Sequence, residues 1–104
     1  MAGHDEQAIE KEIQDKGLNA PRLTPSHIDA VIVHEQYMVF DGTTVTVCAL
    51  TLENGFVVVG ESAAASPANF DAEIGKKIAK ENARNKIWAL EGYRLRSELS
   101  KQER

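Results

Sequence analysis

The chain has 104 residues, of which 42% are hydrophobic and 27% charged, and its formal net charge is −4. This length suits one globular domain, and the composition excludes wholesale disorder. The acidic balance argues against a general nucleic-acid-binding protein, since such proteins are usually basic. A single cysteine excludes an intramolecular disulfide, and no apolar run approaches the ~18 residues that span a bilayer. Because the N-terminal segment lacks the apolar core of a secretion signal, we expect a soluble cytoplasmic protein.

The N-terminal segment predicts a weakly amphipathic helix. Residues 4–16 are rich in Glu, Gln, Lys and Ala, and few of their side chains are apolar. The apolar ones are Ala8, Ile9 and Ile13. So narrow a stripe indicates a helix that is short, mobile or docked on another element. We expect residues 1–23 to form this helix and a linker, and residues 24–104 to form one α+β domain.

A short second helix is expected at the start of that domain. Thr24 can accept a hydrogen bond from a free backbone N–H, and Pro25 suits the first helical position. Apolar residues then recur at the i, i+3 and i+4 spacing of a helix. This pattern predicts a helix that continues to about Val33 and ends at the polar residues 34–36.

Three β-strands joined by two tight turns follow. Residues 37–40, 43–52 and 56–63 are rich in β-branched and aromatic side chains. Asp41-Gly42 and Asn54-Gly55 separate these segments, and both dipeptides favour the positive φ angles of hairpin turns. The sequence therefore predicts a three-stranded antiparallel meander.

The second turn also predicts how the strands align. A two-residue loop at Asn54-Gly55 pairs Glu53 with Phe56 and places Cys48 opposite Glu61. Alternation of side chains then gives two faces, both largely apolar. The first face carries Cys48, Leu50, Leu52, Val57, Val59 and Glu61. The second face carries Val45, Val47, Ala49, Phe56, Val58, Gly60 and Ser62.

A long C-terminal helix is predicted from about Phe70 to at least Leu90, or as far as Leu99, with Asn69 or Asp71 as its cap. Its large apolar stripe, which is expected to face the core, consists of Phe70, Ile74, Ile78 and Trp88 and is interrupted by Glu81 and Asn85. An adjoining stripe of mostly small residues consists of Ala72, Gly75, Ala79, Ala83 and Leu90. The stripe expected to face water consists of Glu73, Lys76, Lys77, Lys80 and Arg84.

These elements predict an α+β fold: a three-stranded antiparallel β-meander packed against a long C-terminal helix, with one or two short N-terminal helices. One helix covers one face of the sheet, which leaves the other sheet face and the small-residue stripe exposed. We therefore expect a homo-oligomer, most simply a twofold dimer. In the alternative, the helix after Thr24 covers the second sheet face and the protein is monomeric.

Polar residues on these apolar surfaces are candidate site residues. The carboxylate of Glu61 could act as a general acid, bind a ligand, or simply reach water at the end of its strand. Glu81, Asn82 and Asn85 interrupt the helical stripe, and buried polar groups need partners. They could line a pocket with Glu61 and Ser62, bond across a subunit interface, or form a structural network.

Other residues have simpler interpretations. Cys48 is expected to be a buried structural cysteine, since no base is fixed near it and only His27 and His34 could serve. The histidines lack the spacing of metal ligands, so neither a metal nor a cofactor is expected. Trp88 is expected to anchor the core. The lysine-rich helix stripe either binds an anion or is simply solvated.

Several short motifs occur in a specific order between Leu23 and Leu95. They are Tyr37-Met38-Val39-Phe40, residues 43–48, Gly60-Glu61-Ser62, residues 67–71, Ile74-Gly75, residues 79–83, Lys86-Ile87-Trp88 and residues 90–93. In these motifs the chain resembles the small tailed-phage protein family known as gene product forty-nine/sixty-six. The resemblance implies a phage origin and a location in the host cytoplasm, but no catalytic residues. The matching polar residues are Glu61, Ser62, Asn69, Asp71, Glu81, Asn82 and Lys86.

The leading hypothesis is a non-enzymatic phage accessory protein that binds a host protein or a small anionic ligand, such as a nucleotide signal. Such binding would serve host takeover or counter-defence. The candidate ligand- or interface-binding residues are Glu61, Ser62, Asn69, Asp71, Glu81, Asn82, Asn85, Lys86 and Trp88. One alternative is a small nucleotide-processing enzyme that uses Glu61 with Glu81 or Asn82. Another is a phage structural or assembly component.

Overall fold

The computed structural model describes residues 5–103. Its elements in chain order are α1 (Glu6–Asp15), α2 (Pro25–Ala30), β1 (Ile32–Val39), β2 (Thr46–Leu52), β3 (Val57–Ser62), a 3₁₀ turn (Pro67–Asn69) and α3 (Ala72–Gln102). The strands form one antiparallel sheet in the order β1-β2-β3, and α3 packs on β2 and β3. The predicted α+β architecture is confirmed. The predicted helix start at His4 lies outside the described residues. Within residues 5–103, no helix has both the length and the hydropathy to cross a membrane.

The structure confirms a cap at the start of both α2 and α3. The hydroxyl oxygen of Thr24 accepts from the backbone N–H of His27 at 3.1 Å. Of the two alternatives for α3, Asp71 is the cap, and its carboxylate accepts from the backbone N–H of Ile74 at 3.0 Å. Both caps use donors that helix geometry leaves free. α3 continues to Gln102, beyond the predicted end.

β1 is longer than the sequence predicted, and α2 is correspondingly shorter. α2 ends at Ala30, and residues 34–36, which were expected to end that helix, pair with residues 49–51 of β2. The helical spacing was misleading because residues 31–33 are Val, Ile and Val, which suit a strand at least as well. Pairing with β2 satisfies the backbone groups of this segment, and that long-range contact decides its structure.

The β2–β3 register differs by one residue from the predicted register. The backbone N–H of Leu52 donates to the carbonyl oxygen of Phe56 at 2.8 Å, so the loop contains three residues instead of two. The third is Gly55, whose φ of +90° closes this longer loop. A slip of one residue exchanges the two faces of β3 relative to β2, since side chains alternate along a strand.

The sheet therefore has an inner face against α3 and an open face. Cys48 pairs with Gly60, whereas the predicted partner was Glu61. The inner face carries Glu35, Tyr37, Val39, Thr46, Cys48, Leu50, Leu52, Val58, Gly60 and Ser62. The open face carries His34, Gln36, Met38, Val47, Ala49, Thr51, Val57, Val59 and Glu61. Both faces are largely apolar, as predicted, although the β3 residues are assigned to the opposite faces.

The core lies between the inner face and the helices. It consists of Ile28, Val31, Cys48, Leu50, Leu52, Val58, Ala79, Ala83 and Ile87. α3 turns its small-residue stripe toward the sheet, so the expectation that this stripe would need another cover was wrong. At Gly60 a Cβ atom would lie 2.1 Å from the nitrogen of Ala83 and 2.4 Å from the carbonyl oxygen of Ala79. Helix and strand are therefore in backbone contact, which only small residues permit.

Because the small residues face the sheet, part of the large apolar stripe of α3 faces outward. Ile74 and Ile78 are 56% and 47% exposed. Trp88, by contrast, is half-buried and packs against the core, as predicted. The exposed isoleucines lie toward the N-terminal end of the helix, next to the residues that follow β3.

α1 is held to the other helices by charged side chains. The carboxylate of Glu6 accepts hydrogen bonds from the guanidinium of Arg84 and, at 3.1 Å, from the indole N–H of Trp88. Arg84 also donates to Asp29 of α2 at 2.8 Å. Only 14% of the Arg84 side chain is exposed, so the expectation that it faces water was wrong. A guanidinium can be buried in this way when carboxylates accept its hydrogen bonds.

Candidate functional site

Three of the predicted site residues line one pocket beside the N-terminal end of α3. Ser62, Asn69 and Asp71 contribute to a half-open cavity of about 220 Å³. The other lining residues are Thr44, Ala63, Ala64, Phe70, Ile74, Gly75 and Ile78. We refer to this cavity as the α3 pocket.

Hydrogen bonds within the chain fix the walls of the α3 pocket. The hydroxyl of Ser62 donates to the carbonyl oxygen of Gly75 at 2.7 Å, which ties the end of β3 to α3. The hydroxyl of Thr44 donates to the carbonyl oxygen of Ala64 at 2.8 Å. One carboxylate oxygen of Asp71 caps α3, and its other oxygen has no hydrogen bond within residues 5–103. The pocket is thus preformed, and the free oxygen of Asp71 can accept an external donor.

The α3 pocket is mostly apolar and carries one negative charge. Asp71 is the one ionisable residue among the lining residues, and alkyl and aromatic groups form most of the wall. The exposed side chains of Ile74 and Ile78 contribute to its rim. Exposed aliphatic groups around a concave site favour contact with another apolar surface.

Asn82 and Lys86, also predicted site residues, lie along the free edge of β3. The side-chain amide of Asn82 donates to the carbonyl oxygen of Glu61 at 2.8 Å, and the ammonium of Lys86 donates to that of Val59 at 2.5 Å. These carbonyl groups point away from β2, because the alternate residues of β3 bond to β2. The two side chains occupy acceptors that another strand would need, so they hinder strand addition at this edge.

Three other predicted site residues, Glu61, Glu81 and Asn85, do not lie together in one site. Glu61 is exposed on the open face, whereas its neighbour Ser62 lies on the inner face. Glu81 is exposed on the side of α3 that faces away from the sheet. Asn85 is half-buried on the same helix, and its side-chain oxygen has no hydrogen-bond partner within the described chain. Glu61 and Glu81 therefore do not share a cavity.

The structure agrees with the expectation for Cys48, which is fully buried on the inner face. Loss of solvation raises the pKa of its thiol. Neither candidate base approaches it, since His34 lies on the open face and Nε2 of His27 lies 2.8 Å from a carboxylate oxygen of Glu91. Within residues 5–103, no three His, Cys, Asp or Glu side chains are grouped to hold a metal ion.

A second cavity, of about 260 Å³, lies between α3 and the segment before α2. Its charged groups are paired within the chain. Arg22 bonds to Glu10 with two contacts of 2.8 Å, and the carboxylate of Glu91 lies 2.8 Å from His27 and 3.6 Å from Arg94. These pairs satisfy one another, so we regard this cavity as a structural junction between the helices.

Sequence reasoning missed Phe70, Ile74 and Ile78 as site residues because it assigned them to the core. The small-residue stripe beside them could have indicated their position. Small residues allow the closest approach of a helix to a sheet, so the bulky stripe beside them is left on the outside.

Comparison with known proteins identifies one family. The model of a phage protein family, described as N4 Gp49/phage Sf6 gene 66, matches residues 23–99. No curated protein and no solved structure matches the chain. The matched span includes α2, the whole sheet and nearly all of α3, and with them the α3 pocket and both faces of the sheet.

Proposed function

Because the chain belongs to the phage protein family of N4 Gp49 and phage Sf6 gene 66, we propose that it is a non-enzymatic accessory protein that binds a host protein in the host cytoplasm. The observation that carries the proposal is the α3 pocket, a preformed apolar cavity with exposed isoleucines at its rim. By occupying a surface of its target, such a protein would redirect a host process or counter a host defence.

The size of the α3 pocket favours a protein side chain over a small molecule. Its volume of about 220 Å³ is below the roughly 300–1,000 Å³ that is typical of small-molecule sites. A nucleotide would have most of its surface outside such a cavity. One bulky apolar side chain, presented by a protein surface that also covers the rim, is a better match.

The charges around the α3 pocket also argue against the anionic ligand that the sequence allowed. Asp71 would repel an anion, no lysine or arginine of residues 5–103 lines the pocket, and two lysines of α3 are engaged elsewhere. The ammonium of Lys76 lies 5.8 Å from the centre of the Tyr37 ring, and that of Lys80 lies 2.9 Å from the carboxylate of Glu35. We therefore infer that the partner presents an aliphatic or aromatic side chain beside a lysine or arginine, which pairs with Asp71.

The geometry gives less support to the rival hypothesis of a nucleotide-processing enzyme. That enzyme would use Glu61 together with Glu81 or Asn82. The amide of Asn82 contacts the backbone carbonyl of Glu61 and not its carboxylate. Glu61 and Glu81 lie on different sides of the molecule, so they cannot act on one substrate atom.

The proposal can be tested by affinity capture from host lysate, followed by measurement of binding with the purified partner. Fully burying an isoleucine side chain contributes about 1.5–3 kcal/mol, and Ile74 is 56% exposed, so a partner gains about half of that and Ile74→Ser should weaken binding by about 4- to 15-fold. Tyr93→Ser is the matched control, because Tyr93 is 78% exposed on the same helix and does not line the pocket. Its affinity should equal that of the wild type. Circular dichroism would confirm that both variants are folded.

A second substitution tests the charge of the pocket. Asp71→Asn removes the negative charge but retains a good helix cap. It should weaken binding and make the affinity less dependent on salt, because an ion pair is lost. Equal affinities of Ile74→Ser and Tyr93→Ser would contradict the proposal. A nucleotide that raised the melting temperature of the wild type but not of Ile74→Ser would instead support a small ligand.

A further inference from the structure

The open face of the sheet is a regular array of nine side chains, and no helix of residues 5–103 covers it. α2 and α3 contribute to the core on the inner side, and α1 is bonded to them there. Met38, Val57 and Val59 are 54%, 46% and 41% exposed. Across the three strands, the rows are Met38, Val47 and Glu61; Gln36, Ala49 and Val59; and His34, Thr51 and Val57.

We propose that a second copy of the chain covers this face, related by a twofold axis that runs along the diagonal from Met38 through Ala49 to Val57. The two ionisable residues of the array, Glu61 and His34, occupy the corners on either side of this diagonal. Rotation about the axis therefore brings Glu61 of each copy next to His34 of the partner subunit. The contact is self-complementary, as a twofold interface must be.

The Glu61–His34 contact selects this axis over the others, because an imidazole N–H can donate a hydrogen bond to a carboxylate. An axis along the opposite diagonal would place Glu61 against its own counterpart, and the two carboxylates would repel each other. An axis parallel to the strands would place Glu61 against Met38, and an axis perpendicular to them would place it against Val57. With strands ~4.8 Å apart and a rise of ~3.4 Å per residue, the diagonal lies about 35° from the strands, so the strands of the two copies cross at about 70°, nearer the orthogonal than the aligned class of sheet packing.

The extent of the face predicts how tightly the copies associate. The open face presents nine side chains, fewer than the roughly 20–30 residues per partner of a standard interface. Contacts below the standard size are typically weak, so we expect a dimer that dissociates upon dilution.

The inference does not depend on the function proposed above. The α3 pocket lies on the inner side of the sheet and stays open in such a dimer. Face-to-face stacking also leaves Asn82 and Lys86 in place on the β3 edge, whereas strand addition at that edge would displace them.

Analytical ultracentrifugation of the full chain over a range of concentrations tests the proposal. The wild type should change from 11.4 kDa to twice that mass as its concentration rises. Val59→Glu places a charge beside the centre of the interface and should remain a monomer at every concentration. Tyr93→Glu introduces the same charge on the outer surface of α3 and should dimerise like the wild type.

A charge exchange tests the axis itself. Glu61→Lys removes the carboxylate acceptor for the His34 imidazole, and His34→Glu creates a repulsion with Glu61, so each should weaken the dimer about tenfold or more. The double variant places a lysine opposite a glutamate at both corners and should dimerise at least as tightly as the wild type. Three results would overturn the proposal: a monomeric wild type at all concentrations, a Val59→Glu variant that still dimerises, or a double variant as weak as the single ones.

Discussion

Replacement of Gly60 by alanine tests how closely α3 must approach the sheet. The added Cβ would lie 2.1 Å from the nitrogen of Ala83 and 2.4 Å from the carbonyl oxygen of Ala79. Both are backbone atoms of a helix, so they cannot rotate away as the end of a flexible side chain could. α3 must therefore move outward by about 1 Å or more, in an interior that is packed as densely as a crystal. Because Ala79 and Ala83 are fully buried, this movement loosens the core along several turns.

The cost can be worked out from the two effects that this movement combines. Overpacking a core costs about 1–3 kcal/mol, and the gap opened beside the displaced helix adds to it. We expect Gly60→Ala to lower the free energy of unfolding by about 3 kcal/mol. That is a large share of the roughly 5–15 kcal/mol of a typical domain. At about 4–8 °C per kcal/mol, the melting temperature should fall by at least ~12 °C.

Gly92→Ala makes the same chemical change on α3 and provides the control. An added Cβ at Gly92 would have one neighbour within 4 Å, the Cδ1 atom of Leu23 at 3.8 Å. Alanine is favoured over glycine in a helix by about 1 kcal/mol, so this variant should be more stable than the wild type. Urea unfolding followed by the fluorescence of Trp88 would measure both effects. A Gly60→Ala variant within about 0.5 kcal/mol of the wild type would refute the backbone contact at this position.

Three further outcomes can be checked in solution. Arg84→Met should lower the free energy of unfolding in urea titrations by about 2–3 kcal/mol, because it removes a largely buried guanidinium bonded to Glu6 and Asp29. Hydrogen bonds from Arg22 lower the pKa of Glu10 to about 2, so the stability that Glu10 contributes is complete above pH 4.5 and is lost as the pH falls from there toward 2. Glu10→Gln should therefore flatten that part of a plot of stability against pH. Cys48 is buried and has a raised pKa, so a thiol reagent should modify it only as fast as the protein unfolds.

The features predicted correctly from the sequence are those that neighbouring residues determine. Thr24 and Asp71 cap their helices through backbone groups three residues away. The backbone N–H of Thr43 donates to the carbonyl oxygen of Phe40 at 3.1 Å and closes the predicted turn, in which Gly42 has the expected positive φ of +73°. The strand that follows begins at Thr46, however, and not at the predicted residue 43. The interactions of the caps and the turn are local, so they can be recognised without knowledge of the fold.

The features that the sequence did not predict depend on distant contacts. Arg84 looked like a solvated helix residue because its partners Glu6 and Asp29 lie 78 and 55 residues away in the chain. Residues 34–36 have no strong preference of their own, and β2 holds them in a strand. The α3 pocket combines residues of a loop, a strand end and a helix, so no single periodic pattern describes it.

The register of β3 shows how one turn residue determines both candidate surfaces. The dipeptide Asn54-Gly55 suits a two-residue turn, but a turn of that length would place Glu61 under α3 and leave Gly60 on the open face. The small residues of α3 exclude that arrangement, because they bring the helix backbone too close to the sheet for a glutamate side chain to fit between them. Ala79 and Ala83 permit backbone contact with a strand residue that has no side chain, which identifies Gly60 as the residue facing the helix. Once Gly60 faces inward, alternation directs Glu61 to the open face, where a second copy can pair with it, and Ser62 to the wall of the α3 pocket.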